Sequence, residues 1–149
     1  VHVGHGLDYK TTKILSKVKE IEEFNIGHFI IGESIFIGLS SVIKKFKKRV
    51  YSSKELKQST LSKDKIGYFS KRFAAKEAFA KALGTGFRNN LNFKDIEIIN
   101  DKLGKPHYSK TKKITKIVKK EFKVRSFNCF LSISDEKEYS TAFTVIQSI

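Results

Sequence analysis

Residues 71–86 carry the side chains of this chain that could do chemistry. Glu77 lies four residues after Phe73, which lies four after Phe69, so its carboxylate continues a line of apolar positions on a predicted helix. An unpaired carboxylate is costly to remove from water, so such a residue normally meets a cation or binds a metal ion. Lys81 is one further turn on and lies on the same side. Spacing alone favours an ordinary Glu77–Lys81 pair on a solvated face.

The segment Gly84-Thr85-Gly86 follows this helix. Its backbone N–H groups could bind a phosphate, although glycine at the end of a helix is usually only a cap. Small residues on the helix would let a ligand approach the backbone closely. These residues are Ala74, Ala75, Ala78 and Ala82. The motif therefore leaves two interpretations open, a phosphate site and a simple helix end.

The elements that must position these residues form an α+β pattern. A short helix begins at Ser53, with Ser52 and Ser53 as candidate caps. Apolar spacing predicts a long helix over 64–83, with Ile66, Phe69, Phe73, Ala80 and Leu83 on one face. The remaining predicted elements are a strand over 93–99, a basic helix over 111–122 with Phe122 turned inward, and a hairpin of 127–134 with 140–146.

The first 48 residues have a different pattern. A strand over 1–7, a helix over 11–21, a strand over 22–26 and a helix over 30–46 are predicted in turn. This β-α-β-α order is typical of an α/β fold.

Composition excludes several classes. The chain has 149 residues, the size of one domain, and a single cysteine, which excludes an internal disulfide and an all-cysteine zinc site. No apolar run reaches the ~18 residues of a membrane span. We expect a cytoplasmic protein without a membrane segment.

A net charge of +15 permits more than one partner. Nucleic acid would bind a basic face, but the lysines are spread along the chain without a single basic tail. An acidic protein partner would use the same electrostatic field to speed encounter. The nucleic-acid interpretation has no recognised motif and is the weaker one.

Four segments together resemble the holo-[acyl-carrier-protein] synthases, which are 4′-phosphopantetheinyl transferases. In order along the chain, they are RVYSSKEL (49–56), RFAAKEAFAKALGTG (72–86), FKDIEIINDKLGKPHY (93–108) and FLSISDEKEYSTAFTVI (130–146). The resemblance covers roughly residues 43–149. It implies the α+β fold of that family, in which a long helix packs on a small antiparallel sheet.

The resemblance also implies an activity, which is Mg²⁺-dependent transfer of 4′-phosphopantetheine from coenzyme A to a serine of apo acyl carrier protein in fatty-acid biosynthesis. Glu77 matches the metal-ligating carboxylate, and Lys81 matches the lysine beside the pyrophosphate; both are the expected catalytic residues. Gly84 and Lys105-Pro106 match positions that border coenzyme A. The partner would be an acidic acyl carrier protein, and the assembly a homotrimer with active sites between subunits.

Three positions bear on the metal site. The family begins with a strand whose Asp is a second metal ligand, and Phe36 stands in that register here. Asp8, in VGHGLDYKTTKI (3–14), offers a second way to align that strand. Asp135 occupies a position where many members carry His and others carry Asp, and a carboxylate cannot act as a cation toward a phosphate. The alternative function is therefore a catalytically impaired fusion or truncated product that lacks the first strand and one ligand.

Residues 1–47 resemble the C-terminal end of pyridoxine 5′-phosphate synthase, a TIM-barrel enzyme. The matching segments are 1–9 and 22–47, and the resemblance assigns His5 a catalytic role and Gly27-His28 a phosphate site. Two βα units cannot close an eight-unit barrel, so we expect no synthase activity from this piece. The predicted organisation is a barrel remnant over 1–47 followed by a transferase domain over 48–149.

Overall fold

The computed structural model describes residues 2–4, 9–15, 18, 23–25, 34–35, 37–88 and 90–149. The chain divides into two compact units, Val1–Phe46 and Lys47–Ile149. Within the described ranges, no helix is both long and apolar enough to span a bilayer.

The first unit contains a parallel pair of short strands. β1 (His2–Gly4) pairs with β2 (Glu23–Asn25), with Val3 opposite Phe24, and α1 (Tyr9–Leu15) lies in the connection between them. The predicted strand–helix–strand order is confirmed, although α1 ends at Leu15 rather than at residue 21. α2 (Leu39–Val50) begins in this unit and ends in the second.

The helices of the second unit begin and end at residues with clear local reasons. α3 (Ser53–Ser59) starts with a capping box, in which Ser52 and Glu55 satisfy each other's backbone N–H groups. α4 (Lys65–Leu83) starts where Asp64 accepts a hydrogen bond from the Gly67 N–H at 2.9 Å. It ends at Gly84, whose φ of +82° favours glycine.

Two antiparallel strand pairs complete the second unit. β3 (Ile98–Asn100) pairs with β4 (Pro106–Tyr108), and β5 (Phe127–Asp135) pairs with β6 (Ser140–Ser148). In chain order, α5 (Lys112–Phe122) comes between the two strand pairs. Thr111 caps this helix by accepting a hydrogen bond from the Ile114 N–H at 3.2 Å.

The core lies between α4, α5 and the strands. Its buried members include Phe79 and Leu83 of α4, Ile98 of β3, Val118 of α5 and Phe127 of β5. The inward side chains of the β5–β6 hairpin pack against this core; they are Cys129, Leu131, Ile133, Ala142 and Ile146. The predicted arrangement of a long helix on a small antiparallel sheet is therefore confirmed.

Three local predictions are wrong in part or in full. On the face predicted for α4, Ala80 and Leu83 are buried as expected, but Ile66 is 82% exposed and Phe73 is 37% exposed. The inward residues of α4 instead include polar ones, since other elements supply their hydrogen-bond partners. The strand predicted over 93–99 begins only at Ile98, because Asn92 and Asp95 close a 3₁₀ turn over Phe93–Asp95. Phe122, at the end of α5, is 41% exposed.

Candidate active site

Glu77 and Lys81 lie one turn apart on the outward side of α4. Glu77 is half-buried and Lys81 is exposed. Burial raises the pKa of the Glu77 carboxyl, and the positive charge of Lys81 acts in the opposite direction. Among the described residues, Glu77 makes no hydrogen bond or ion pair, so its oxygens remain available to accept from or bind a ligand. The simple Glu77–Lys81 ion pair is not formed.

Gly84 ends α4 on an open surface. Its N–H donates to the Lys81 carbonyl at 3.0 Å, and the Gly86 N–H donates to the Ala80 carbonyl at 3.2 Å. These two N–H groups therefore cap the helix. A Cβ added at Gly84 would meet nothing within 4 Å, so the positive φ, rather than crowding, requires glycine. The exposed backbone here is accessible to a ligand.

Lys105 and Pro106 belong to the β3–β4 hairpin. The Lys105 side chain is exposed, while its N–H donates to Asp101 Oδ1 at 2.9 Å and shapes the turn. Pro106 begins β4 opposite Asn100, whose side-chain oxygen accepts from Arg72 of α4 at 3.2 Å. This bond links the hairpin to α4 at Arg72. Within the described part of the chain, no hydrogen bond or ion pair joins Lys105 to Glu77 or Lys81.

Asp135 lies at the end of β5 and pairs with Lys71 of α4. The Lys71 Nζ to Asp135 Oδ2 distance is 2.8 Å, and both side chains are partly exposed. The pair joins the hairpin to the helix that carries Glu77. The aspartate therefore has a structural partner in Lys71.

Comparison with protein families gives two overlapping matches. The model of the pyridoxal phosphate biosynthesis protein PdxJ matches residues 1–52. The model of the 4′-phosphopantetheinyl transferase superfamily matches residues 35–144, which is most of the chain. A holo-[acyl-carrier-protein] synthase of Pelagibacter ubique (strain HTCC1062) is 60% identical over 117 residues, covering 78% of this chain and 91% of that protein.

The chain belongs to the 4′-phosphopantetheinyl transferase superfamily. It is thus a member of a family of group-transfer enzymes. The resemblance of residues 1–47 to the vitamin B6 enzyme is confirmed as a second family match.

Solved structures support the same assignment of the fold. The holo-[acyl-carrier-protein] synthase of Neisseria meningitidis is 35% identical with a TM-score of 0.63, covering 81% of this chain and 90% of that one. A holo-(acyl-carrier-protein) synthase of Bacillus anthracis str. Ames, in complex with CoA (3′,5′-ADP), is 31% identical with a TM-score of 0.59, covering 74% and 86%. The transferase fold is α+β, as the sequence predicts.

The residues present fit a Mg²⁺ ion that is shared with a bound phosphate. In the described ranges, no group of three His, Cys, Asp or Glu side chains could hold a metal by itself. Mg²⁺ keeps several waters and is usually bound through one or two carboxylates together with substrate phosphates. The unpartnered carboxylate of Glu77 meets that requirement. Asp8, Phe36, His5 and Gly27-His28 lie outside the described residues.

Sequence reasoning missed Lys76, the neighbour of Glu77 in this transferase. Its side chain is fully buried and its Nζ lies 2.8 Å from Glu55 Oε2, which is also fully buried. Burial lowers the pKa of Lys76, and the Glu55 carboxylate opposes that shift. The capping-box spacing of Ser52 and Glu55 was the available signal for Glu55; nothing local indicated that Lys76 turns inward.

Proposed function

We propose that this chain transfers the 4′-phosphopantetheine group of coenzyme A to a serine of an apo acyl carrier protein, as part of fatty-acid biosynthesis. The observation that supports this proposal is that Glu77 and Lys81 lie one turn apart on the outward side of α4 without forming an ion pair. One is a half-buried carboxylate without a partner among the described residues, and the other is a free-standing ammonium one turn away. Family membership supplies the reaction class.

In the proposed reaction, the serine oxygen attacks the phosphorus that carries the pantetheine arm. A new phosphorus–oxygen bond forms as the bond to the bridging oxygen of the pyrophosphate breaks. The serine proton passes to solvent, and the bridging oxygen leaves as part of adenosine 3′,5′-bisphosphate. Such transfer depends mainly on positioning and charge stabilisation, so the protein must hold the pyrophosphate and its charge in place.

Each proposed site residue then has a role that its surroundings support. Glu77 would hold Mg²⁺ together with the pyrophosphate, and the ion would neutralise charge on the transferred group. Lys81, exposed and one turn on, would contact the pyrophosphate. The open backbone at Gly84 would let the coenzyme lie against the helix end. Lys105 and Pro106 would border the pantetheine arm from the β3–β4 hairpin.

The proposed protein partner is an acidic acyl carrier protein. The chain carries 30 Lys and Arg residues against 15 Asp and Glu residues, and the last turn of α2 contains Lys47, Lys48 and Arg49. A positive field of this kind speeds encounter with an acidic protein. The 60% identical relative from Pelagibacter ubique is a holo-[acyl-carrier-protein] synthase.

The proposed assembly is a homotrimer, and the outer face of the β5–β6 hairpin supports self-association. One face of this two-stranded sheet packs on the core, and the other face carries three large apolar side chains among Ser, Thr, Asn and Gln residues. Phe130 is 53% exposed, Phe143 68% and Val145 41%. Adjacent apolar side chains of this size on a sheet face typically mark an interaction surface.

We infer further that residues 1–47 are a barrel-derived segment joined to a transferase domain over 48–149. The family match over residues 1–52 and the parallel β1–β2 pair with a helix in its connection support this division. Such a strand–helix–strand unit is the repeating element of a TIM barrel. We propose no synthase activity for it.

The second candidate function is a transferase that is impaired because it lacks the family's first-strand Asp. Phe36 stands in that register, and phenylalanine cannot bind Mg²⁺. Phe36→Asp tests this candidate: it should lower the Mg²⁺ concentration needed for transfer if residues 30–38 form the family's first strand in place of the helix predicted over 30–46. The described residues beside Phe36, 34–35 and 37, are helical. A variant with unchanged Mg²⁺ dependence would exclude Phe36 from that register.

The direct test incubates the chain with apo acyl carrier protein, coenzyme A and Mg²⁺, and follows the carrier protein by mass spectrometry. The proposal predicts a gain of one phosphopantetheine group. A carrier protein whose acceptor serine is replaced by alanine is the control. If neither carrier protein gains mass at any Mg²⁺ concentration, the proposed activity is wrong for this chain.

A further inference from the structure

Lys76 and Glu55 form a fully satisfied ion pair in the interior of the second unit. The Lys76 ammonium donates to Glu55 Oε2 at 2.8 Å, to the Phe93 carbonyl at 3.0 Å and to the Ile96 carbonyl. An ammonium has three N–H donors, so all of them are used. Both side chains are fully buried. The pair is therefore shielded from solvent, and its hydrogen bonds fix the position of the Lys76 ammonium.

The Glu55 carboxylate extends this contact to two further segments. Its Oε2 accepts from the Ser52 N–H at 2.7 Å, and its Oε1 accepts from the Ile98 N–H at 3.2 Å. The Glu55–Lys76 pair therefore connects α4 to three other segments. These are the start of α3, the loop before β3 and the start of β3, and each is joined to α4 at Lys76.

Directional hydrogen bonds and buried apolar side chains together hold the rotation of α4. The buried apolar residues of this helix include Phe79 and Leu83 as well as the small Ala75 and Ala80, and their packing is less directional than a hydrogen bond. Hydrogen bonds, in contrast, weaken steeply as their angle departs from linear. Successive residues of an α-helix lie about 100° apart and about 1.5 Å along the axis. Fixing Lys76 inward therefore fixes the outward direction of Glu77.

Stability alone does not account for a buried ion pair. Desolvating two charges costs much of what their mutual attraction returns, and apolar side chains of similar volume often stabilise a fold as well or better. Unlike an apolar contact, the ion pair fixes the direction of the side chains that form it. Lys76 directly precedes Glu77, the candidate catalytic carboxylate.

We propose that Glu55 is a positioning residue, which acts through Lys76 to set the orientation of Glu77 and Lys81 toward coenzyme A. This inference rests on the proposed function for its link to catalysis. Glu55 itself is fully buried and touches no substrate. Misplacing a reacting group by about 1 Å can cost about 100-fold in rate, so loss of the pair should reduce turnover even in a folded protein.

The test compares three variants of the full chain. E55Q leaves the buried Lys76 ammonium without its counter-charge, and it is expected to lower the melting temperature. E55Q/K76M removes that charge and should recover part of the lost stability without restoring the directional bonds, since the Phe93 and Ile96 carbonyls also lose their donor. V118A, a cavity variant in α5 whose residue is fully buried, is the control for loss of stability without loss of the pair.

Two readouts separate positioning from folding. The first is the hydrogen exchange of the amides of residues 78–81, which does not require activity. The second is the turnover rate at saturating coenzyme A and carrier protein. For E55Q/K76M we expect exchange at residues 78–81 to accelerate and turnover to fall by about tenfold or more. V118A should retain turnover within about twofold at a temperature where it is folded.

A role in stability alone gives the opposite result: in E55Q/K76M, turnover and exchange protection would return together with the melting temperature. Unchanged exchange at residues 78–81 would also overturn the proposal. If the unmodified chain transfers no phosphopantetheine, the proposed function fails. The exchange measurement then still decides whether the pair orients this part of α4.

Discussion

The hydroxyl of Tyr108 donates a hydrogen bond of 2.7 Å to the backbone carbonyl of Ala75, two residues before Glu77 on α4. The same hydroxyl lies 2.6 Å from Thr144 Oγ1 of β6, which therefore acts as the donor to it. One buried side chain of β4 thus connects the helix of the candidate site to the β5–β6 hairpin. Burial also raises the pKa of Tyr108, so the hydroxyl stays protonated as a donor.

Tyr108→Phe should lower the free energy of unfolding by about 1 kcal/mol, because it removes the buried hydrogen bond to the Ala75 carbonyl and the contact with the half-buried Thr144 hydroxyl. Urea denaturation with an unchanged slope is the measurement. Tyr139→Phe is the matched control, since Tyr139 is 65% exposed and should tolerate the change. Equal stability of the two variants would show that the Tyr108 hydroxyl contributes nothing to the fold.

The ends of α4 could be predicted from the sequence, whereas its orientation could not. Asp64 and Gly84 are local signals, and both act as caps. The spacing of Phe69 and Phe73 indicated an inward apolar face, but the helix turns Lys76 inward instead. The reason is long-range, since the partner Glu55 lies 21 residues earlier in the chain.

The candidate site residues were predicted through family resemblance and only partly through spacing. Spacing placed Glu77 and Lys81 on one side of the helix, which the structure confirms. The length of the strand that begins at Ile98 was overestimated. The Asp95 side chain accepts a hydrogen bond from the Asn92 N–H, and this local contact favours a turn over a strand. No local pattern indicated that Asp135 pairs with Lys71, since those residues are 64 positions apart.

Cys129 provides a prediction about pH. Burial raises the pKa of its thiol from 9.0 to about 11, and nearby Lys110 opposes the shift. Only the thiolate reacts with iodoacetamide, so at pH 8 the folded chain should be alkylated about 100-fold more slowly than the urea-unfolded chain. The single cysteine makes the labelling unambiguous. Equal rates would show that the thiol is not protected by the fold.

The raised pKa of Cys129 also predicts how the free energy of unfolding changes at alkaline pH. Because the folded thiol has the higher pKa, its protonated form is favoured in the folded state. This group contributes its full stabilisation below pH 9 and loses that contribution as the pH rises from 9 to about 11. Cys129→Ser should therefore show a smaller decline in unfolding free energy over that interval.

The outer face of the β5–β6 hairpin predicts self-association. If the chain forms the proposed trimer, Phe143→Ser should shift it toward monomer in sedimentation velocity, because the change removes an exposed phenylalanine from the proposed contact. Leu103→Ser is the control, since Leu103 is 95% exposed in the β3–β4 turn. Should both variants sediment as the parent does, this face is not the subunit contact.

The net charge of +15 predicts salt-dependent association with an acidic carrier protein. Raising salt to a few tenths molar shortens the screening length to below about 10 Å, so the association rate should fall by about tenfold or more. Stopped-flow measurement over a salt series tests this. A rate that is independent of salt would remove the electrostatic argument and leave the family assignment unaffected.

The most direct test of the account is the transfer of phosphopantetheine by Glu77→Gln, measured by mass spectrometry of the carrier protein. Glutamine and glutamate have similar helix propensity, so α4 should remain formed. We predict that transfer falls by about 100-fold or more, because the carboxylate is the proposed ligand of Mg²⁺ and the pyrophosphate charge loses its compensation. Glu121→Gln, on the exposed side of α5, should transfer at the parental rate. Full activity in Glu77→Gln would contradict the assignment of this site.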